Sequence, residues 1–440
     1  MLFLTSLYRI VVCVALSTAC LTTFAQSDTD DDTSIHWQAT NITQKHDSFV
    51  APYSGTNSLD HQSATAETTD STLFIGQRLW QGAEIWINPE VDQGFGFNNT
   101  LGLAGFPSGG AYKIGANSPY LRVQKLFMRQ VIGLGGESHQ VDDTANQLAG
   151  MQAANNLTLT LGKFSVVDIF DTNAYAHDPR ADFLNWSVID SGAFDYAADP
   201  WGYTFGSAIE WNQDDWTLRG GFFQLSPIPN GKISRVNFGE NSTDIELEAR
   251  HVWWGHPGKI KLLAWVNEGR MASYQDAVAL GALTDSVPRV DLVRRYSSRP
   301  GAALNLEQEL RPDLGAFVRI SANRGNRETY EFTDINSSAS AGLSLKGRSW
   351  GRSGDTWGIA RVVNRISGEA QSYFAAGGLG LLIGDGKLDY APEKIVESVY
   401  TASVCANLMV SVDYQYITNP AYNQDRGPVS IWGIRTHLSF

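Results

Sequence analysis

"IWGIRTHLSF", residues 431–440, closes the chain on a bare aromatic. Chain ends are ordinarily polar and frayed unless something ties them down. In this stretch Trp432, Ile434, Leu438 and Phe440 fall on one face, with Thr436 the one weak step. Gly433, Arg435, His437 and Ser439 fall on the other. A period of two marks a strand with one apolar and one wet face. The pattern recurs upstream. "GAEIWINPE" (82–90) sets Ala83, Ile85 and Ile87 against Glu84, Trp86 and Asn88. "TDIELEARHVW" (243–253) sets Ile245, Leu247 and Ala249 against Glu246, Glu248 and Arg250. "LGAFVRISAN" (314–323) opposes Val318 and Ile320 to Phe317 and Arg319. "LMVSVDYQYI" (408–417) opposes Val410, Val412 and Tyr414 to Ser411, Asp413 and Gln415.

Turn chemistry separates these runs, at "NQDD" (212–215), "HPGK" (256–259), "RPD" (311–313) and "RSGD" (352–355). No βα unit repeats, so a parallel α/β sheet is not expected. At the other end of the chain, Arg9 precedes an apolar run from Ile10 to Ala25, diluted by Cys, Ser and Thr and ending Thr23-Phe24-Ala25. Residues 1–25 therefore read as a cleaved secretory signal peptide. Residues 26–34, "QSDTDDDTS", read as an acidic disordered tail, and residues 35–440 as one domain. Cys13 and Cys20 fall in the leader, which leaves Cys405 without a partner for an internal disulfide. Its place in the alternation puts it opposite Ala406, Leu408 and Val410 as a small packed residue.

Only 18% of residues are charged and 11% are aromatic, with 42 glycines and a net charge of −13. With no basic stripe to neutralise phosphates, nucleic acid is not an expected partner. A soluble β-sandwich of this length would divide into domains, whereas one closed barrel uses the whole chain. The length allows about 16 strands, within the range of outer-membrane barrels, and only closed barrels satisfy every strand backbone in lipid. The expected fold is thus all-β: a transmembrane antiparallel barrel in the bacterial outer membrane. Long extracellular loops are expected with it, one of them folded into the pore.

Longer blocks carry a family resemblance. "FVAPYSGTNSL" (49–59), "STLFIGQRLWQGAEIWINPEVDQGFG" (71–96), "GLAGFPSGGAYKIG" (102–115) and "NWSVIDSGAFDYAADPWGY" (185–203) resemble the OprB-type carbohydrate-selective porins. So do "GGLGLLIGDGKLDYAPEKIVESVY" (377–400) and "NPAYNQDRGP" (419–428). The resemblance implies a 16-stranded barrel with a constricted, water-filled pore and passive diffusion of sugars. The "DYAAD" and "DRGP" blocks also resemble a subgroup associated with manganese uptake, so the solute stays open between carbohydrates and divalent cations such as Mn2+. The C-terminal Trp432, Ile434, Leu438 and Phe440 resemble the signature read by the barrel-assembly machinery. Outer-membrane lipids and small solutes are the other implied partners, and oligomeric state is left open.

A pore selects by width and by the groups on its wall. The longest segment poor in alternation, residues 166–199, has the length of a loop that enters a lumen. It carries Asp168, Asp171, Asp178, Asp182, Asp190, Asp195 and Asp199 against Arg180 alone. At a constriction that field concentrates cations; the opposing view is that each aspartate only caps turns. His177 and Asp178 are placed to touch a passing ion, but neither calcium-loop nor zinc-ligand spacing is present, and no metal or cofactor is expected. Arg78, Glu84, Glu246, Glu248, Arg250, Arg319 and Asp413 fall on the wet faces. Either they form rows that orient a dipolar solute, or they pair across neighbouring strands. Trp86, Trp265 and Phe317 on those faces offer rings for stacking on sugars, with an interfacial belt the alternative for Trp265. A barrel enzyme is the remaining class. No G-x-S-x-G elbow, H-E-x-x-H pair or phosphate-cradling loop occurs, and catalysis is not expected.

Overall fold

A computed structural model describes residues 32–440 except 114 and 333. The leader and most of the acidic tail lie outside the described residues. The first strand nevertheless begins at Thr33, inside the tail as delimited from sequence. Its ladder to the next strand simply continues through Thr33↔Gln77, and the Asp32 carbonyl accepts the Arg78 N–H.

Among the described residues sixteen strands form one closed antiparallel barrel, each paired with its chain neighbours. The first five are β1 (Thr33–His46), β2 (Ala64–Trp80), β3 (Ala83–Phe95), β4 (Ala116–Val141) and β5 (Gly150–Phe164). Next come β6 (Thr204–Asn212), β7 (Trp216–Gln224), β8 (Asn241–Trp253), β9 (His256–Met271) and β10 (Arg295–Arg311). β11 (Leu314–Asn323), β12 (Ser337–Gly347), β13 (Arg352–Arg365), β14 (Glu393–Cys405), β15 (Leu408–Thr418) and β16 (Val429–Ser439) complete the ring. No helix among the described residues is long and apolar enough to cross a membrane.

Closure comes from β16 pairing with β1, in register from Gln38↔Ser439 to His46↔Ile431. Phe440 finishes the seam. Its N–H donates to the Trp37 carbonyl at 2.8 Å, its carbonyl accepts the Trp37 N–H at 3.0 Å, and the two rings stack at 5.6 Å. Trp432 and Ile434 point outward and are exposed, while Arg435 and His437 point inward and are buried. Leu438 is covered instead by Leu408, Trp37 and Phe440, and Cys405 packs in that same group rather than on the opposite face. The register shift between Ser403 and Cys405 changes its side.

Two turns sit earlier than their sequence signals. The chain reverses at 254–255 and 348–351, so "HPGK" and "RSGD" already belong to β9 and β13. All the short turns lie at one end of the barrel and the long loops at the other, the asymmetry of outer-membrane barrels, whose long loops face outward. One connection at the turn end departs from this. β4 and β5 run on as a hairpin past the neighbouring turns, and its tip folds back beneath the lumen. There the Leu148 N–H donates to Glu84, and Asn88 bonds Asn146 at 2.9 Å.

The apolar core is inside the barrel, not between sheets. Loops 96–115, 165–203, 324–336 and 366–392 enter the lumen and pack against inward-facing rings. The wall makes room with glycine: a Cβ on Gly76 would meet the Trp86 ring at 2.5 Å, and one on Gly301 would meet Trp265 at 2.1 Å.

Candidate functional site

Loop 165–203 is the centre of the lumen. Its first turn is locked by a capping box, in which Ser165 and Asp168 bond reciprocally. A single helical turn, α1 (Trp186–Ile189), follows, capped by the Asn185 side chain. Rings then build a column across the barrel. Phe106 stacks on Trp186 at 5.1 Å, Trp186 on Phe332 at 4.7 Å, and Phe332 meets Tyr196 at 4.3 Å. Phe194 extends the column to the wall at Trp265, 4.8 Å away.

Charged wall residues hold the backbone of these loops. Glu393 accepts the N–H groups of Ala104, Gly105 and Ala421. Glu397 accepts those of Leu184 and Asn185, Glu246 that of Asp171, and Glu307 that of Ala174. Arg319 donates to the carbonyls of Asp171, Ala176 and Val188, and Arg435 to those of Pro179, Ala181 and Asp182. Charge-assisted bonds of this kind are roughly twice as strong as neutral ones, and each satisfies a loop amide or carbonyl that water no longer reaches.

On the side of β2, β3 and β4 the loop meets the wall through ion pairs. Arg180 bonds Asp70 at 3.1 Å and lies 3.6 Å from Glu90. Lys125 pairs with Asp168 at 2.6 Å and Arg122 with Asp199 at 3.3 Å, while Arg129 pairs with Glu84 within the wall itself, from β4 to β3. Arg78, Arg122, Lys125, Arg129 and Arg180 keep side-chain exposures of 16–27%. Asp171, Asp190, Asp195 and Asp199 keep 3% or less.

Residues 56–440 match the carbohydrate-selective porin family OprB. The chain belongs to the OprB family. It is accordingly an outer-membrane porin, a passive channel. Its fold agrees with the high-pH structure of Pseudomonas putida OprB at a TM-score of 0.70 and 14% identity, over 95% of this chain and 100% of that one. The outer-membrane channel DcaP of Acinetobacter baumannii superposes at 0.51 with 9% identity, over 95% and 100% of the two chains. No curated protein matches the chain in sequence.

Each residue singled out from sequence now has a place in this porin. Glu84, Trp86, Glu246, Glu248, Phe317, Arg319 and Asp413 all point inward and are buried; Arg78 and Arg250 point inward at the turn end. The loop aspartates have separate partners. Asp171 pairs with Arg319 at 3.4 Å and accepts the Ser191 N–H. Asp182 accepts the N–H groups of His177 and Asp178. Asp195 pairs with Arg299 at 2.5 Å and accepts three amides of loop 324–336, while Asp199 caps Trp201 and Tyr203. Asp190 lies 4.0 Å from His177, and burial, reinforced by the nearby Asp171, pushes its carboxyl well above the ordinary range. In the row only Asp168 and Asp178 remain exposed, and Asp168 is held by Lys125.

Wall charges pair across strands where Arg219 reaches Glu210, Glu246 and Glu248, and along one strand where Arg250 reaches Glu248. The rings are not free for a solute. Trp86, Trp265 and Phe317 are at most 3% exposed, each pressed on a glycine of the adjoining strand. This also removes Trp265 from the lipid belt. Sequence reading passed over Asp70, Glu90, Asp92 and Lys125. The signal was present for two of them, because Glu90 and Asp92 continue the same alternate face as Glu84, Trp86 and Asn88.

Proposed function

We propose that this porin passes small neutral carbohydrates, and that its constriction lies between Arg180 and the Asp70–Glu90 wall. The carrying observation is the state of the charges there. Each accessible guanidinium or ammonium there stands against a carboxylate, exposed at Asp168 and buried at Asp70, Glu90, Glu84 and Asp199, so the wall offers donors to hydroxyls while its charge is largely compensated. Arg78, Lys125, Arg129 and Asp178 belong to this path in our reading, with Asp168 held by Lys125. The manganese-type reading has less support, because Asp171, Asp182, Asp190, Asp195 and Asp199 are already committed to loop amides, to arginines or to burial. Among the described residues no group of three His, Cys, Asp or Glu side chains is arranged to hold a metal ion.

Export through cleavage after residue 25, and recognition of Phe440 and its row by the assembly machinery, belong to the same reading. So does contact of the outward apolar belt with lipid, and no catalysis is assigned. Liposome swelling with glucose, together with reversal potentials in a salt gradient, tests it. The expected result is sugar-dependent swelling with weak ion selectivity. Strong cation selectivity without sugar swelling overturns it in favour of the divalent-cation channel.

A further inference from the structure

A second concavity lies above the barrel rim. It encloses about 540 Å³ and is lined wholly by loops 272–294, 324–336 and 366–392, with no strand residue on its surface. Two helices shape it: α2 (Tyr274–Thr284), capped by Ser273, and α3 (Gly368–Ala375), capped by Ser367. They bring Tyr274 and Tyr373 to 4.9 Å at its floor. Its size is that of small-molecule sites, roughly 300–1,000 Å³.

Two of its polar groups are unfinished. Glu328 takes Arg294 on one oxygen at 2.7 Å, and its Oε2 has no hydrogen-bond partner, although the side chain is only 6% exposed. Asp334 accepts the Leu382 N–H at 3.0 Å, and its Oδ1 is likewise without a partner at 2% exposure. Buried acceptors left unmet are costly, and although these two oxygens are themselves closed off, their residues line the same concavity. Water satisfies a lone carboxylate, but apart from Arg289, Asp291, Arg294 and Thr329 the remaining lining is apolar, from Val287 to the tyrosine floor. A pyranose combines the two demands, with hydroxyl donors along its rim and a C–H face for the apolar wall. Anions are disfavoured by the paired carboxylates. Burial also pushes Glu328 up to about 7 and Asp334 up to about 6, and Glu328 already carries Arg294 at 2.7 Å, which lessens the demand for a further cation.

We propose that this loop-end concavity is a capture site for a neutral mono- or disaccharide, separate from the constriction and loading the channel from outside. It rests on the carbohydrate reading for its ligand class but not for its geometry. Saturation-transfer NMR on the detergent-solubilised full chain tests it, with glucose and maltose as probes and spermidine as the cationic control. Glu328→Gln and Asp334→Asn remove the acceptors. Val287→Trp fills the cavity from an exposed position and leaves the buried charges alone, so a folding defect in the first two does not end the test. The expected result is sugar saturation in wild type and a rise in Kd of about tenfold or more in the variants. Sugar signals equal in wild type and Val287→Trp, no sugar signal in wild type, or spermidine binding in preference to sugar each overturns the site. Liposome swelling of wild type, read separately, reports on the porin reading alone.

Discussion

Asp195 is the residue whose removal should separate the loop plug from the barrel. Its carboxylate pairs with Arg299 at 2.5 Å, with both side chains at most 2% exposed, and accepts the N–H groups of Tyr330, Glu331 and Phe332 at 2.8–3.1 Å. Asp195→Ala leaves Arg299 with neutral partners only, among them Asn323. Removing one member of a buried pair costs about 3–5 kcal/mol, and unmet amides add to it, for on the order of 5 kcal/mol in all. That is about three to four decades in the equilibrium for loop detachment. The strands keep their ladders, so the barrel should survive. Hydrogen exchange in detergent is the assay. Amides of 191–199 and 328–332 should lose roughly three decades of protection while those of β14–β16 hold, and bilayer conductance should become larger and noisier. Adding Arg299→Met withdraws the stranded charge and should recover much of the loss. Unchanged protection in Asp195→Ala, or an Asp195→Ala/Arg299→Met variant worse than the single one, would refute the pinning argument.

Arg180→Ala frees Asp70 and Glu90 at the constriction, so conductance should rise and the reversal potential move toward cation preference; no shift places the narrow point elsewhere. Removing Phe440 deletes the Trp37 stack and two closing backbone bonds, and should lower the folded yield more than the conductance of the channels that do assemble. Gly301→Val drives a side chain into the Trp265 ring and should cost about 1–3 kcal/mol, visible in urea unfolding with altered tryptophan fluorescence. Burial holds Glu328 at about 7, faced by Arg294 and Asp334, so the folded loop binds the proton more tightly than the unfolded chain. Its contribution is therefore full below about 4.5 and lost as pH rises through 7. Exchange at 326–332, corrected for intrinsic rate, should open between pH 5 and 8 relative to strand amides.

The barrel was legible because lipid enforces the alternation: Ile85, Ile87, Ile245, Leu247, Val412, Trp432 and Ile434 are all exposed on the outside, as their spacing predicts. The lumen was harder to read. Nothing near Asp195 announces Tyr330 or Arg299, and nothing near Glu397 announces Leu184, because each bond joins segments more than a hundred residues apart. The aspartate row looked like a field because its charges were visible in sequence and their partners were not. Trp265 looked interfacial for the same reason: the ring that covers it, Phe194, comes from a loop.

The grip on the loops has a consequence for how such a channel changes over generations. Glu393, Glu397, Arg319 and Arg435 hold peptide groups, which every residue but proline offers in full. Where only the peptide group is gripped, as at Ala181, the side chain can therefore be exchanged without loosening the path the chain takes through the lumen, whereas Arg180, Asp182 and Asn185 fix that path with their side chains. At the first kind of position solute preference and loop trajectory are set by different atoms, and one can drift while the other stays put.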